Sequence, residues 1–95
     1  MAEPADDRTI AAALRELDGW RREGDELVCD RTFADFRAAV AYVNAVAEKA
    51  EAANHHPDIR IHGWNNVELR LSTHSVGGIT RADLDLAAEL ARLDS

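Results

Sequence analysis

From Val67 to Thr73 the chain reads Val-Glu-Leu-Arg-Leu-Ser-Thr, with apolar and polar side chains in alternation. A period of two places Val67, Leu69 and Leu71 on one face of a β-strand. Ile59-Arg60-Ile61-His62 alternates as well, and Gly63-Trp64-Asn65-Asn66 separates the two runs. Asparagine tolerates positive φ almost as readily as glycine, so the four residues read as a hairpin turn. A two-stranded hairpin is not stable alone, and its apolar face demands a cover.

The cover is supplied on both sides in sequence. From about Ala34 to Ala53 the chain contains no glycine or proline, and Phe36, Val40, Val43, Ala47 and Ala50 recur at helical spacing. Its further alanines, Ala38, Ala39, Ala41 and Ala45, either reflect helix propensity or leave a smooth surface for another helix. After the hairpin, Thr80-Arg81-Ala82-Asp83 reads as a capping box opening a helix that buries Leu84, Ala87, Ala88, Ala91 and also Leu90. Upstream, Asp6, Asp7 or Thr9 caps a first helix carrying Ile10, Ala13, Leu14 and Leu17, which Gly19 ends. Trp20–Glu23 and a returning strand through Leu27-Val28-Cys29 to Thr32-Phe33 flank a Gly24-Asp25 turn. The order α-β-β-α-β-β-α predicts an α+β fold, a four-stranded antiparallel sheet with three helices on one face. Residues 1–7 read as a disordered leader and 8–95 as a single domain, since 95 residues allow one modest core.

Charge and composition narrow the function. A net charge of −7 argues against a nucleic-acid phosphate backbone as the main partner. The one cysteine, Cys29, excludes an internal disulfide and reads as core filler in a reducing compartment. No basic segment precedes an apolar run at the N-terminus and no stretch is long enough to span a bilayer, so the reading is a soluble, cytoplasmic protein.

The unusual stretch is Asn54-His55-His56-Pro57-Asp58. Proline forces the residue before it out of helical geometry, so His56 sits at an element's end. His74 lies at the end of the hairpin's second strand. Imidazole both gives and takes protons near neutrality, so His55, His56 and His74 invite a general acid/base reading. Alternatively His55 and His56 are a helix C-terminal pair interacting with the dipole. Glu51, one turn before His55, is either surface charge or a group that orients it; Asp83 alone reads as a cap, and His62 as a solvated strand residue. Neither H-E-x-x-H nor cysteine pairs are present, so the histidines are read as carrying no metal. Gly77-Gly78 lacks the residues of a phosphate loop.

Glu51-Ala52-Ala53-Asn54-His55-His56-Pro57, Trp64 seven residues after Pro57, Thr73-His74, Gly77-Gly78 and Asp83 together resemble the signature of the pterin-4a-carbinolamine dehydratases. Gly19-Trp20, Phe33 and Asp35-Phe36 are similar to that family too. The resemblance implies a homodimer or homotetramer that dehydrates 4a-hydroxytetrahydropterin to quinonoid dihydropterin without metal or organic cofactor, after an aromatic amino-acid hydroxylase has used its pterin. It implies His55 and His74 as acid/base residues, His56 as substrate binder, Glu51 and Asp83 as supporting carboxylates, Pro57 as the turn former and Trp20 near the pocket. Ser75 and Ala52 stand where the family often has an acidic and a basic residue. Some members of that family also serve as dimerisation partners of a homeodomain transcription factor, so a non-catalytic interaction module is the alternative.

Overall fold

The computed structural model describes residues 3–93. The elements are α1 (Asp7–Leu14), β1 (Trp20–Glu23), β2 (Glu26–Thr32), α2 (Phe36–Ala53), β3 (Asp58–His62), β4 (Asn66–Leu71) and α3 (Arg81–Ala91), with one 3-10 turn at His74–Val76. The four strands form an antiparallel sheet in the order β1-β2-β4-β3. One core joins all three helices to one sheet face: Ile10 of α1, Tyr42 and Val46 of α2, and Leu84, Leu86 and Leu90 of α3 cluster with Leu27, Cys29, Val67, Leu69 and Leu71. This is the α+β arrangement that the alternation in β4 required.

Local signals set most of the element ends. The Asp6 carboxylate accepts the Thr9 N–H at 2.8 Å and caps α1. That helix stops at Leu14, earlier than Gly19, although Leu17 is still buried in the turns that follow. The expected leader is ordered from Pro4: it bridges Thr80, and the Ala5 N–H donates to the Ile79 carbonyl at 2.8 Å. Met1 and Ala2 lie outside the described residues. In the β3–β4 loop the positive φ falls on Gly63 and Trp64, not on an asparagine. Asn65 and Asn66 are otherwise engaged: the Asn65 amide donates to the Phe33 carbonyl at 2.8 Å, and the Asn66 side chain accepts the Thr32 hydroxyl at 2.8 Å.

Helix α2 buries Ala39, Tyr42, Val46 and Ala50; of the expected Phe36-Val40-Val43-Ala47-Ala50 stripe, Ala50 is buried, Val40 and Val43 are half-buried, and Phe36 and Ala47 face outward. The Tyr42 ring packs on Phe33 with centroids 5.0 Å apart, and the small Ala39 is buried in the same core against the sheet. Phe36 is left 55% exposed. In α3, Leu84, Ala87 and Leu90 are buried as expected, Leu86 joins them, and Ala88 and Ala91 pack half-buried against the core's edge. The sheet's outer face carries ion pairs, Arg21 to Glu23 and Asp30, and Arg70 to Glu23, Glu26 and Glu68. No helix among the described residues is long and apolar enough to cross a membrane.

Candidate active site

The site forms where α2 ends, β3 begins, β4 ends and α3 starts. Asn54 takes the left-handed conformation at φ 51°, and two bonds close the last turn of α2, Asn54 N–H to Glu51 O and His55 N–H to Ala50 O, both 3.1 Å. This is a Schellman arrangement with asparagine in the strained position. It turns the chain sharply, and Pro57 prevents any return to helix. His55 is thereby aimed at the first turn of α3, while His56 falls back beside α2.

The two imidazoles meet different carboxylates. His55 Nε2 lies 2.5 Å from Asp83 Oδ1, and His56 Nε2 lies 2.6 Å from Glu51 Oε2. Glu51 therefore orients His56 and not His55, because the left-handed residue between them rotates the backbone by more than helical spacing predicts. Asp83 does cap α3, accepting the Thr80 N–H at 2.9 Å, but the same Oδ2 also accepts the Thr73 hydroxyl at 2.8 Å. With Oδ2 occupied by two donors and the carboxylate at the positive end of α3, Asp83 acts as an acceptor toward His55. Nε2 is then the donor nitrogen, which leaves Nδ1 of the neutral ring with a lone pair. No buried side-chain polar atom among the described residues lacks a partner.

His74 is reached from β4. The Thr73 N–H donates to the Gly78 carbonyl at 2.8 Å and Gly77 takes φ 67°, closing a tight turn that begins at His74. His55, His56 and His74 line one open hollow of about 420 Å³, together with Pro57, Asp58, Ser72 and Thr73. Binding sites for drug-sized molecules begin near 300 Å³, so this one has room for a small planar ligand. Trp20 is not among its lining residues; it is buried in the core on β1, with β2 between it and β4. His62 is exposed at the other end of β3. The sequence alone gives no separate role to Asp58, Ser72 or Thr73, since alternation assigns a face to a strand residue but no partner. Among the described residues no three His, Cys, Asp or Glu side chains are grouped to hold a metal ion.

Residues 3–93 match the sequence profile of a family described as Pterin 4 alpha carbinolamine dehydratase. The chain belongs to that family. It is 56% identical over 90 residues to a Thermomicrobium roseum protein provisionally named as a pterin-4-alpha-carbinolamine dehydratase, covering 95% of this chain and 96% of that one. A similarly named Nocardia farcinica protein is 49% identical over 87 residues, covering 92% and 90%. The crystal structure of a transcriptional coactivator/pterin dehydratase from Brucella melitensis superposes with a TM-score of 0.89 at 28% identity, over 98% of this chain and all of that one. A pterin dehydratase-like protein described as a RuBisCO assembly factor in the alpha-carboxysome gives a TM-score of 0.65 at 26% identity, over 79% and 88%. The dehydratase fold thus occurs in proteins named for other tasks as well.

Proposed function

We propose that this dehydratase-family chain catalyses loss of water from 4a-hydroxytetrahydropterin. The reading is carried by the three imidazoles around one hollow, two of them braced by carboxylates. The reaction breaks the C4a–O bond and the N5–H bond and forms a C4a=N5 double bond. Hydroxide leaves poorly unless a proton reaches it, and N5 must give up a proton as its electrons move into the new bond. His55, with Nε2 held by Asp83, and His74, on the β4 side of the hollow, serve as the acid/base pair. His56 and Glu51, at the exposed rim, bind substrate. Each proton-transfer role is worth about 10²–10⁴ in rate. The product is a quinonoid dihydropterin, which places the protein in pterin recycling after a hydroxylase, in the cytoplasm, with no cofactor of its own.

The test follows the ultraviolet absorbance of enzymatically generated 4a-hydroxytetrahydropterin. Wild-type protein accelerates its decay, while His55→Ala and His74→Ala each lose about 10²–10⁴ of that acceleration with circular dichroism unchanged. Full acceleration in either variant, for both stereoisomers, refutes the pair.

Phe36, Ile59 and Trp64 are large apolar residues left exposed, and β3 forms an edge of the sheet. These features support self-association as a homodimer or homotetramer, which light scattering on the purified protein checks. They also favour a second reading, a non-catalytic interaction module on the same fold. Wild-type protein that associates with another chain and leaves the carbinolamine's decay unaccelerated selects that reading.

A further inference from the structure

We infer that Thr73 is a positioning residue for the dehydration, its hydroxyl locking the strand that delivers His74 to the carboxylate that holds His55. The inference rests on the proposed acid/base roles of these two imidazoles. Thr73 Oγ1 lies 2.8 Å from Asp83 Oδ2 and 2.8 Å from Thr80 Oγ1. An ionised carboxylate only accepts, so the single hydroxyl proton of Thr73 goes to Asp83. The Thr73 oxygen is then left to accept from Thr80, whose own oxygen accepts the Ala82 N–H at 3.2 Å. The protons are thus ordered in one direction, from Thr80 to Thr73 to Asp83, and the carboxylate's other oxygen meets His55.

The backbone of Thr73 has a second task. Its N–H donates to Gly78 O at 2.8 Å and its carbonyl accepts from Val76 N–H at 3.1 Å, which closes the turn rooted at His74. One residue therefore sets the carboxylate behind the first imidazole and the chain beneath the other. Without the hydroxyl, the nearest replacement donor for Oδ2 is the Thr80 hydroxyl, 3.5 Å away on the α3 side. Approach of that group draws the carboxylate toward α3 and loosens its hold on His55. The other groups around His55 do not compensate. Asp85 and Glu89 share a second hollow with it on the α3 side, and Asp58, His56 and His74 share the main one, but Asp83 is the side chain that bonds its ring.

The experiment combines ¹⁵N imidazole NMR with steady-state kinetics on wild type, Thr73→Val and Thr73→Ser. In the wild type, His55 shows one neutral tautomer, protonated on Nε2, and the Thr73 hydroxyl proton exchanges slowly. In Thr73→Val the ring becomes a tautomer mixture, and kcat falls about tenfold, the worth of a hydrogen bond to a charged group, while KM stays within about threefold. Thr73→Ser restores the wild-type nitrogen pattern and most of the turnover. Thr73→Val with the wild-type tautomer and kcat overturns the inference, as does a rise in KM alone, which marks a ligand contact. Serine failing as badly as valine also overturns it, since then the methyl group matters and not the hydroxyl. Should the valine variant not fold, fast exchange of the Thr73 hydroxyl proton in the wild type has the same force. A wild type without dehydratase activity ends the proposed function, while the nitrogen spectra still decide whether Thr73 sets His55.

Discussion

His55 and His56 are neighbours in sequence, and each faces a carboxylate, yet they live in different physical regimes. The His55 side chain is 18% exposed against an Asp83 side chain that is 0% exposed; His56 and Glu51 are 55% and 76% exposed. In the first pair, water cannot replace a lost partner, so removing either group strands the other in low dielectric. In the second, solvent screens the attraction and takes over any lost bond, which leaves an interaction typically worth less than 1 kcal/mol. Similar distances in the two pairs therefore say little about their importance, and burial says most of it. The buried pair fixes a ring orientation and a tautomer; the exposed pair biases a mobile ring at the rim.

The largest expected effect breaks the buried pair without emptying its site. In Asp83→Asn, the amide oxygen satisfies the Thr73 hydroxyl and Thr80 N–H, so its NH₂ group must face His55. His55 Nε2 is then forced to accept, and the ring adopts the opposite tautomer. Turnover should fall about 10³–10⁴-fold, as when the orienting carboxylate of a catalytic histidine is converted to its amide. The fold should survive, with KM little changed. Asp83→Ala goes further, since it leaves the Thr73 hydroxyl, the Thr80 N–H and His55 without their acceptor; a cost of about 3 kcal/mol is expected. For a domain of this size that lowers Tm by roughly 12–24 °C. An Asp83→Asn enzyme that turns over normally would show that the carboxylate is a helix cap and nothing more.

The mirror experiment on the exposed pair should barely register. Glu51→Gln keeps an acceptor beside His56 and removes one surface charge, so stability should stay within about 0.5 kcal/mol. KM should rise a few-fold at most, kcat should hold, and the KM effect should shrink in high salt, which screens exposed charges. A kcat loss in Glu51→Gln comparable to that of Asp83→Asn would sink the contrast between the pairs.

How far this contrast was readable beforehand follows from the range of each interaction. The hairpin, the Thr80–Asp83 capping box and the order of elements rest on neighbours within four residues, and those signals are written into the sequence. The face of α2 was not. A long alanine-rich helix offers Phe36-Val40-Val43-Ala47-Ala50 and Ala39-Tyr42-Val46-Ala50 as nearly equivalent stripes that meet at Ala50, and the choice is made by Tyr42 packing on Phe33 and by the sheet beneath. His55 meets a different carboxylate for a more local reason. Helical spacing pointed Glu51 at His55, but one left-handed residue, Asn54, redirected the chain. The histidines themselves stood out because two imidazoles before a proline suit neither a helix nor a strand. Thr73 entered only as the neighbour of His74, because its role depends on a carboxylate ten residues further on.

The smallest effect concerns the exposed carboxylates away from the site, and it carries the same lesson into pH. The Arg21 guanidinium, 2.7 Å away, holds the Glu23 carboxyl below its ordinary value, with Arg70 assisting. The Thr9 N–H does the same for Asp6 at the start of α1. Both groups have folded-state values below their unfolded ones. Each therefore contributes stability above its unfolded value, near pH 4, and loses it as pH falls through the lower folded value. Asp6→Asn with Glu23→Gln should melt slightly lower than wild type at pH 7, and the gap should narrow as pH falls below about 4, as wild type loses the same contributions. Thermal melts at pH 7, 5 and 3 test this directly. A gap that stays constant down to pH 3 would mean that the two side chains act through shape and hydrogen bonding alone. A gap that narrows would place them with Glu51: charges whose worth is set by the solvent around them, unlike the Asp83 carboxylate, which solvent cannot reach.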